Sequence, residues 1–89
     1  MVFITYFKSD GEITAPIIVS QNEQNFDSVF GKRAEEFKSI YDSIIIKLDS
    51  EQAEIDFIKE LHKNYKVNIK TKQLEKIEKK SNELNIKYV

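Results

Sequence analysis

The chain has no cysteine and no tryptophan, and only one proline, one histidine and two glycines among 89 residues. Each scarcity removes a class of chemistry. Without cysteine there is no disulfide framework, no thiolate nucleophile and no zinc site of the finger type. With a single histidine, carboxylates are left as the metal ligands, a set that suits magnesium or calcium if it suits any ion. Phosphate-binding loops need glycine so that backbone amides can approach the phosphate; Gly11 sits in a turn signal and Gly31 stands alone. The longest apolar runs, Ala15 to Val19 and Ile44 to Ile46, fall far short of the ~20 residues that cross a bilayer. The first residues also lack the basic segment and long apolar core of a secretory leader. The expectation is a soluble, unprocessed cytoplasmic protein with no membrane association, no metal and no cofactor.

What is present is enough for a core. Hydrophobic residues make up 40% of the chain, and six Phe and four Tyr are included, whereas disordered chains are poor in such residues. The length leaves room for one domain over residues 1–89, burying a little under about 70% of the unfolded surface. Net charge is −1, but residues 1–58 carry five basic and eleven acidic side chains, and residues 59–89 carry nine basic and four acidic. This bipolar division can steer a charged partner or align subunits head to tail.

Residues 1–8 and 12–19 are rich in β-branched and aromatic side chains and flank Asp10-Gly11, a favoured hairpin turn pair. A two-residue turn there predicts Lys8 opposite Ile13, Tyr6 opposite Ala15, Ile4 opposite Ile17 and Val2 opposite Val19. Pro16 cannot donate to a ladder, which places the second strand at a sheet edge or makes it irregular. A helix cap is expected near Asn22. Phe26, Phe30, Ala34, Phe37 and Tyr41 then recur at helical spacing, with Gly31 either tolerated inside one helix or capping the first of two short ones. Two helices are preferred. Residues 41–48, with Ile44-Ile45-Ile46, predict a central strand covered on both faces. Asp49 or Ser50 caps the next helix, whose buried stripe is Ala53, Phe57, Ile58 and Leu61, widened by Ile55 and Tyr65. Glu51 and Glu54 complement its positive end, and Lys59 and Lys63 its negative end. Residues 65–70 alternate as a short strand or extended connector. Thr71 is placed as the cap of a last helix with Leu74, Ile77, Ser81 and Leu84 along one seam, Asn85 ends it, and residues 86–89 form a closing strand. The predicted fold is α+β: an N-terminal β-hairpin plus a central strand in a small mixed sheet, with two to four helices mainly on one face.

No reaction-competent constellation emerges. His62 lies among Lys59, Lys63 and Lys66 with no nucleophile or second titrating group at a useful spacing. Carboxylates cluster at Glu35-Glu36, Asp42, and Asp49 with Glu51 and Glu54, but capping explains the last group. The tripeptides Glu36-Phe37-Lys38 and Glu78-Lys79-Lys80 match the acid-x-lysine element of some nucleases, yet both fall in predicted helices without a strand-borne partner acid. Lys66, Lys70, Lys72, Lys76, Lys79 and Lys80 could meet phosphates, against which stand a single arginine and Glu75 and Glu78 within the same segment. Tyr6, Tyr65 and Tyr88 could stack bases but suit the edge of a core better. The seam of Leu74, Ile77 and Leu84 packs on the domain's own sheet or on a second copy, so a homodimer stays open.

Elimination thus points to a non-catalytic protein-interaction module that presents an acidic or aromatic surface and modulates or inhibits another protein by covering its active or nucleic-acid-binding site. The alternative is a small nucleic-acid-binding protein using the lysines of the last helix. In size and in its isoleucine, lysine and asparagine content the whole chain resembles the small accessory proteins of bacteriophages and mobile elements, which implies a host protein as partner.

Overall fold

The fold is described for residues 1–77 and 87–88 in a computed structural model of the chain. Strands β1 (Val2–Phe7) and β2 (Ile13–Val19) form the expected hairpin, and β3 (Tyr41–Lys47) pairs with the other side of β1. Strand β6 (Lys87–Tyr88) adds to β3, giving the order β2-β1-β3-β6. All three pairings are antiparallel, whereas the sequence pattern led us to expect a mixed sheet. Five consecutive residues of β1, Val2 to Tyr6, are buried, while Ile45 of β3 is half-exposed. The strand covered on both faces is therefore β1, flanked by β2 and β3, although β3 carries the isoleucine run.

The hairpin register starts as the alternation requires, with Val2 opposite Val19 and Ile4 opposite Ile17, and then shifts. Beyond the shift Thr5 faces Thr14 and Tyr6 faces Ile13 rather than Ala15. The irregularity holds Ala15 and Pro16, joined by a cis peptide bond, where a residue lacking an N–H is expected to break the ladder. It also lengthens the turn: Phe7 donates to Glu12 O at 2.9 Å, leaving a four-residue loop instead of the two-residue one. Gly11 ends that loop at φ 81, in the left-handed region.

Pleating sorts the sheet into two faces. Val2, Ile4, Tyr6, Ile13, Ile44 and Ile46 share one core cluster with Leu48 and with Phe57 and Leu61 of α3 (Glu51–Asn64). Helix α3 is the predicted one: the Ser50 hydroxyl accepts from Ala53 N–H at 3.1 Å, and Phe57 and Leu61 are buried as the stripe requires. Glu54 lies in the first turn of α3, as expected, and is also drawn into the core. It is 4% exposed, and its carboxylate accepts from the Met1 amino group at 2.9 Å and from Leu48 N–H at 3.1 Å. It is thus a buried acceptor that ties the first turn of α3 to the start of the chain and to the residue that follows β3.

Phe7 and Tyr41 lie on the opposite face, beside a helical segment made of α1 (Phe26–Phe30), a 3-10 turn (Gly31–Arg33) and α2 (Ala34–Phe37). Its cap is Asn25 rather than Asn22: Asn25 Oδ1 accepts from Ser28 N–H at 2.8 Å, and Ser28 Oγ accepts from Asn25 N–H at 3.0 Å. This reciprocal pair satisfies two otherwise orphaned donors. Gly31 caps α1 at φ 62, ψ −133, as the two-helix reading expected. The helical elements are consequently shared between the two faces of the sheet. The α+β class itself, with an N-terminal hairpin, an inner third strand and helices packed on the sheet, is the one predicted.

The largest correction concerns residues 71–77. Instead of opening a helix they complete a second hairpin, β4 (Tyr65–Asn68) with β5 (Gln73–Lys76). Asn68 decides the matter locally. Its Oδ1 accepts from Lys70 N–H at 2.9 Å and Thr71 N–H at 3.1 Å, while its Nδ2 donates to Glu75 Oε1 at 2.6 Å. A side chain that serves the following amides folds the backbone into a turn instead of releasing Thr71 to cap a helix. Val67 then buries against Leu74 across the ladder. The remaining helix positions, Ser81 and Leu84, and its end at Asn85 lie outside the described residues. The closing strand is present at Lys87–Tyr88.

Candidate interaction surface

Replacing a helix by a hairpin redistributes the lysines. Lys66 is exposed opposite Glu75 in the ladder, Lys70 is exposed in the loop, and the ammonium of Lys76 lies 5.9 Å from the Tyr65 ring centroid. Lys72, held at φ 57, turns its Nζ to within 3.7 Å of Asp42 Oδ2. Lys66 and Lys70 line one depression with Asp10 and Glu75, but Lys72 and Lys76 turn elsewhere, so the four do not form a single basic face. Lys79 and Lys80 lie outside the described residues, as does the Glu78-Lys79-Lys80 tripeptide. Tyr6 and Tyr65 are buried in the core, which removes their faces from base stacking.

The carboxylates stay dispersed. Glu35 and Glu36 are exposed on α2, where Glu36 opens the tripeptide Glu36-Phe37-Lys38, and Asp49 and Glu51 flank the Ser50 cap. His62 is exposed and lines an open depression of about 340 Å³ with Asp10, Glu12, Ile13, Tyr65, Lys66 and Ile77. The hairpin tip places Asp10 and Glu12 around the same depression as that histidine, an arrangement that no sequence spacing encodes. Among the described residues no group of three His, Asp or Glu side chains could hold a metal ion.

One titratable contact is built into the core. Tyr6 Oη donates to Asp42 Oδ2 at 3.4 Å, and its pKa is pushed up to about 12 by burial first, then by the Asp42 charge and hydrogen bond. Asp42 pairs with Tyr6 on the core face and also meets Lys72, so it joins the main sheet to the β4-β5 loop.

The strongest surface feature is aromatic. Phe26, Phe30, Phe37, Tyr41 and Phe7 form a continuous ring cluster, with centroid separations of 4.3 Å for Phe26–Phe30, 5.2 Å for Phe30–Phe37, 5.8 Å for Phe37–Tyr41 and 5.1 Å for Phe7–Tyr41. Each of the five is only half-buried, and Ala34 is the one residue of the helical segment that is fully buried. Ile40, 48% exposed, lies between α2 and β3, immediately before Tyr41. The stripe was legible in the sequence as one apolar face of a helical segment; the break at Gly31 shortens both helices to about one turn and leaves the rings partly in solvent. Phe7 was not foreseen here, because its membership depends on the sheet register. The rim carries both signs: Lys38 Nζ lies 2.9 Å from Asp27 and donates to Glu35 at 3.3 Å, hydrogen bonds that raise its pKa, in that order of importance. Glu36, Lys32 and Arg33 are exposed around it.

No protein-family model, no curated protein and no solved structure matches this chain. No helix among the described residues is long and apolar enough to cross a membrane.

Proposed function

We propose that this chain is a non-catalytic, cytoplasmic protein-binding module whose contact surface is the ring cluster of Phe26, Phe30, Phe37 and Tyr41 with Ile40 at its edge. The observation that carries the reading is that five aromatic rings in contact with one another are only half-buried on the face of the sheet opposite the core cluster, with Ile40 exposed beside them. Aromatic residues are enriched at the centres of protein interfaces, where a polar rim sets register and partner choice. The mixed-sign rim suits a protein surface of patterned charge better than the uniform charge of a phosphate backbone. Lys66 and Lys70 share one depression with Asp10 and Glu75, while Lys72 turns to Asp42 and Lys76 to the Tyr65 ring, and this division weighs against the nucleic-acid alternative. The small, isoleucine- and lysine-rich composition extends the proposal to an accessory protein of a phage or mobile element that modulates a host protein.

The test is affinity capture from nuclease-treated host lysate with the parent chain and with Ile40→Glu and Phe26→Glu variants of unchanged circular dichroism. A discrete protein retained by the parent and lost by both variants supports the reading. Retention that is indifferent to both substitutions refutes this surface, and retention seen only in untreated lysate and lost with nuclease and with added salt refutes the reading in favour of nucleic acid.

A further inference from the structure

The main-chain hydrogen bonds of the first hairpin fix which groups of β2 face outward. Ser20 N–H donates to Met1 O at 2.9 Å and the Met1 amino group donates to Ser20 O at 2.8 Å, so this is a doubly bonded pair. Bonded and unbonded pairs alternate along an antiparallel ladder. Phe3 and Ile18 are therefore bonded to each other, whereas the peptide groups of Val2–Val19 and Ile4–Ile17 point away from one another. On the β1 side those groups meet β3, at Ile46 and Ile44. On the β2 side the N–H and C=O groups of Ile17 and Val19 point to the edge of the sheet, where no strand pairs among the described residues. The other end of that edge is taken: Val67 N–H donates to Gly11 O at 2.8 Å and brings β4 alongside the hairpin tip.

We propose that the open edge Ile17–Val19 pairs antiparallel with the same segment of a second copy of this chain, with Ile18 on the two-fold axis. In that register Ile17 of each copy faces Val19 of the other, and the four outward peptide groups exchange four main-chain hydrogen bonds. The choice of occupant rests on charge. Exposed edge strands are usually guarded by charged side chains, but residues 13–22 contain none, with Glu12 and Glu23 the nearest. In this register Ile18 meets its own symmetry mate and every position n residues before it meets the one n residues after it in the other copy, so a segment uncharged from 13 to 22 pairs with itself without setting like charges together. Pro16 and the bulge limit the contact to three residues, which makes an isolated pair of copies, a closed two-fold dimer, the product rather than a growing sheet. Ile17, Ile18 and Val19 are each half-exposed and would be covered by the pairing.

Sedimentation equilibrium and amide hydrogen exchange of the whole chain across concentration test this. The interface is small, so a dissociation constant of about 0.1–1 mM is expected, at the weak end of specific association. The mass should rise from monomer towards dimer over that range. The Ile17 and Val19 amides should become about ten-fold more slowly exchanging, while the Ile18 amide, already bonded to Phe3, should be protected throughout. Ile18→Lys sets two ammonium groups across the axis and should abolish the mass change; should that variant fail to fold, the exchange pattern of the parent chain decides alone. A monomeric mass throughout, dimers whose Ile17 and Val19 amides stay unprotected, assemblies that grow beyond two copies, or protection arising only when a foreign extended peptide is added would each overturn the proposal.

Discussion

Replacing Gly11 by alanine separates two effects that glycine substitutions usually mix. A Cβ on Gly11 would fall inside the van der Waals envelope of Val67 O and 2.9 Å from Val67 C, and Gly11 stands at φ +81. A Cβ on Gly31, at φ +62, would meet no atom within 4 Å. Gly31→Ala therefore carries only the backbone term, about 1–3 kcal/mol for a left-handed or rarer conformation. Gly11→Ala carries a similar term and must also push β4 away. That breaks the 2.8 Å bond from Val67 N–H to Gly11 O, a loss of about 1–2 kcal/mol for a buried donor. It also loosens Val67, which is 1% exposed in the core, by roughly another 1–2 kcal/mol. The two variants should differ by about 2–4 kcal/mol in urea unfolding followed by circular dichroism, or by at least about 10 °C in Tm for a domain of this size. Against a total stability of about 4–13 kcal/mol, Gly11→Ala approaches the limit of what the fold tolerates. Equal destabilisation by the two substitutions, within about 0.5 kcal/mol, would show that the hairpin tip does not rest on β4.

Three further outcomes follow from the core and the caps. Tyr6, with its pKa raised from 10 to about 12, binds its proton more tightly when folded, so its contribution to stability is complete below pH 10 and is lost as pH rises to 12. Tyrosinate absorbance should show this late titration, and Asp42→Asn should lower the pKa yet leave it above 10, because burial is the larger cause; titration of Tyr6 near 10 in the parent chain would contradict the burial. Glu54→Ala removes the acceptor shared by the Met1 amino group and Leu48 N–H and should cost about 3–5 kcal/mol in urea unfolding, whereas Glu54→Gln, which keeps one oxygen for Leu48, should cost clearly less; equal losses would mean that the amide bond is immaterial. Asn25→Ala deletes the reciprocal cap of α1 and should cost about 1 kcal/mol, with greater solvent quenching of tyrosine fluorescence if fraying reaches Tyr41; unchanged stability would count against the capping geometry.

Much of the fold could be read in order along the chain, and the misreadings have identifiable causes. The hairpin, the isoleucine strand, the Ser50 cap and the α3 stripe are dictated by neighbours within a few residues. The last helix failed because Leu74 and Ile77 recur at a spacing that suits a helix, while the competing turn depends on Asn68 reaching forward to Lys70, Thr71 and Glu75. The candidate surface was half legible. Its stripe from Phe26 to Tyr41 stood in the sequence, but its exposure did not, because exposure depends on how little of a broken helical segment the sheet can cover.

By itself the sequence determined the local conformations and the excluded chemistries: alternation made strands, a hydroxyl before an acidic turn started α3, and the lack of cysteine barred thiolate and disulfide chemistry. Only the tertiary structure decided that Glu54 is a buried acceptor, that Gly11 supports β4, that Asp10 and Glu12 line one depression with His62, and that Lys72 turns to Asp42. The physical reason is range. Periodicity and capping act between residues a few positions apart, whereas burial, charge pairing and the free edge of a sheet are properties of segments that meet only after the chain has closed.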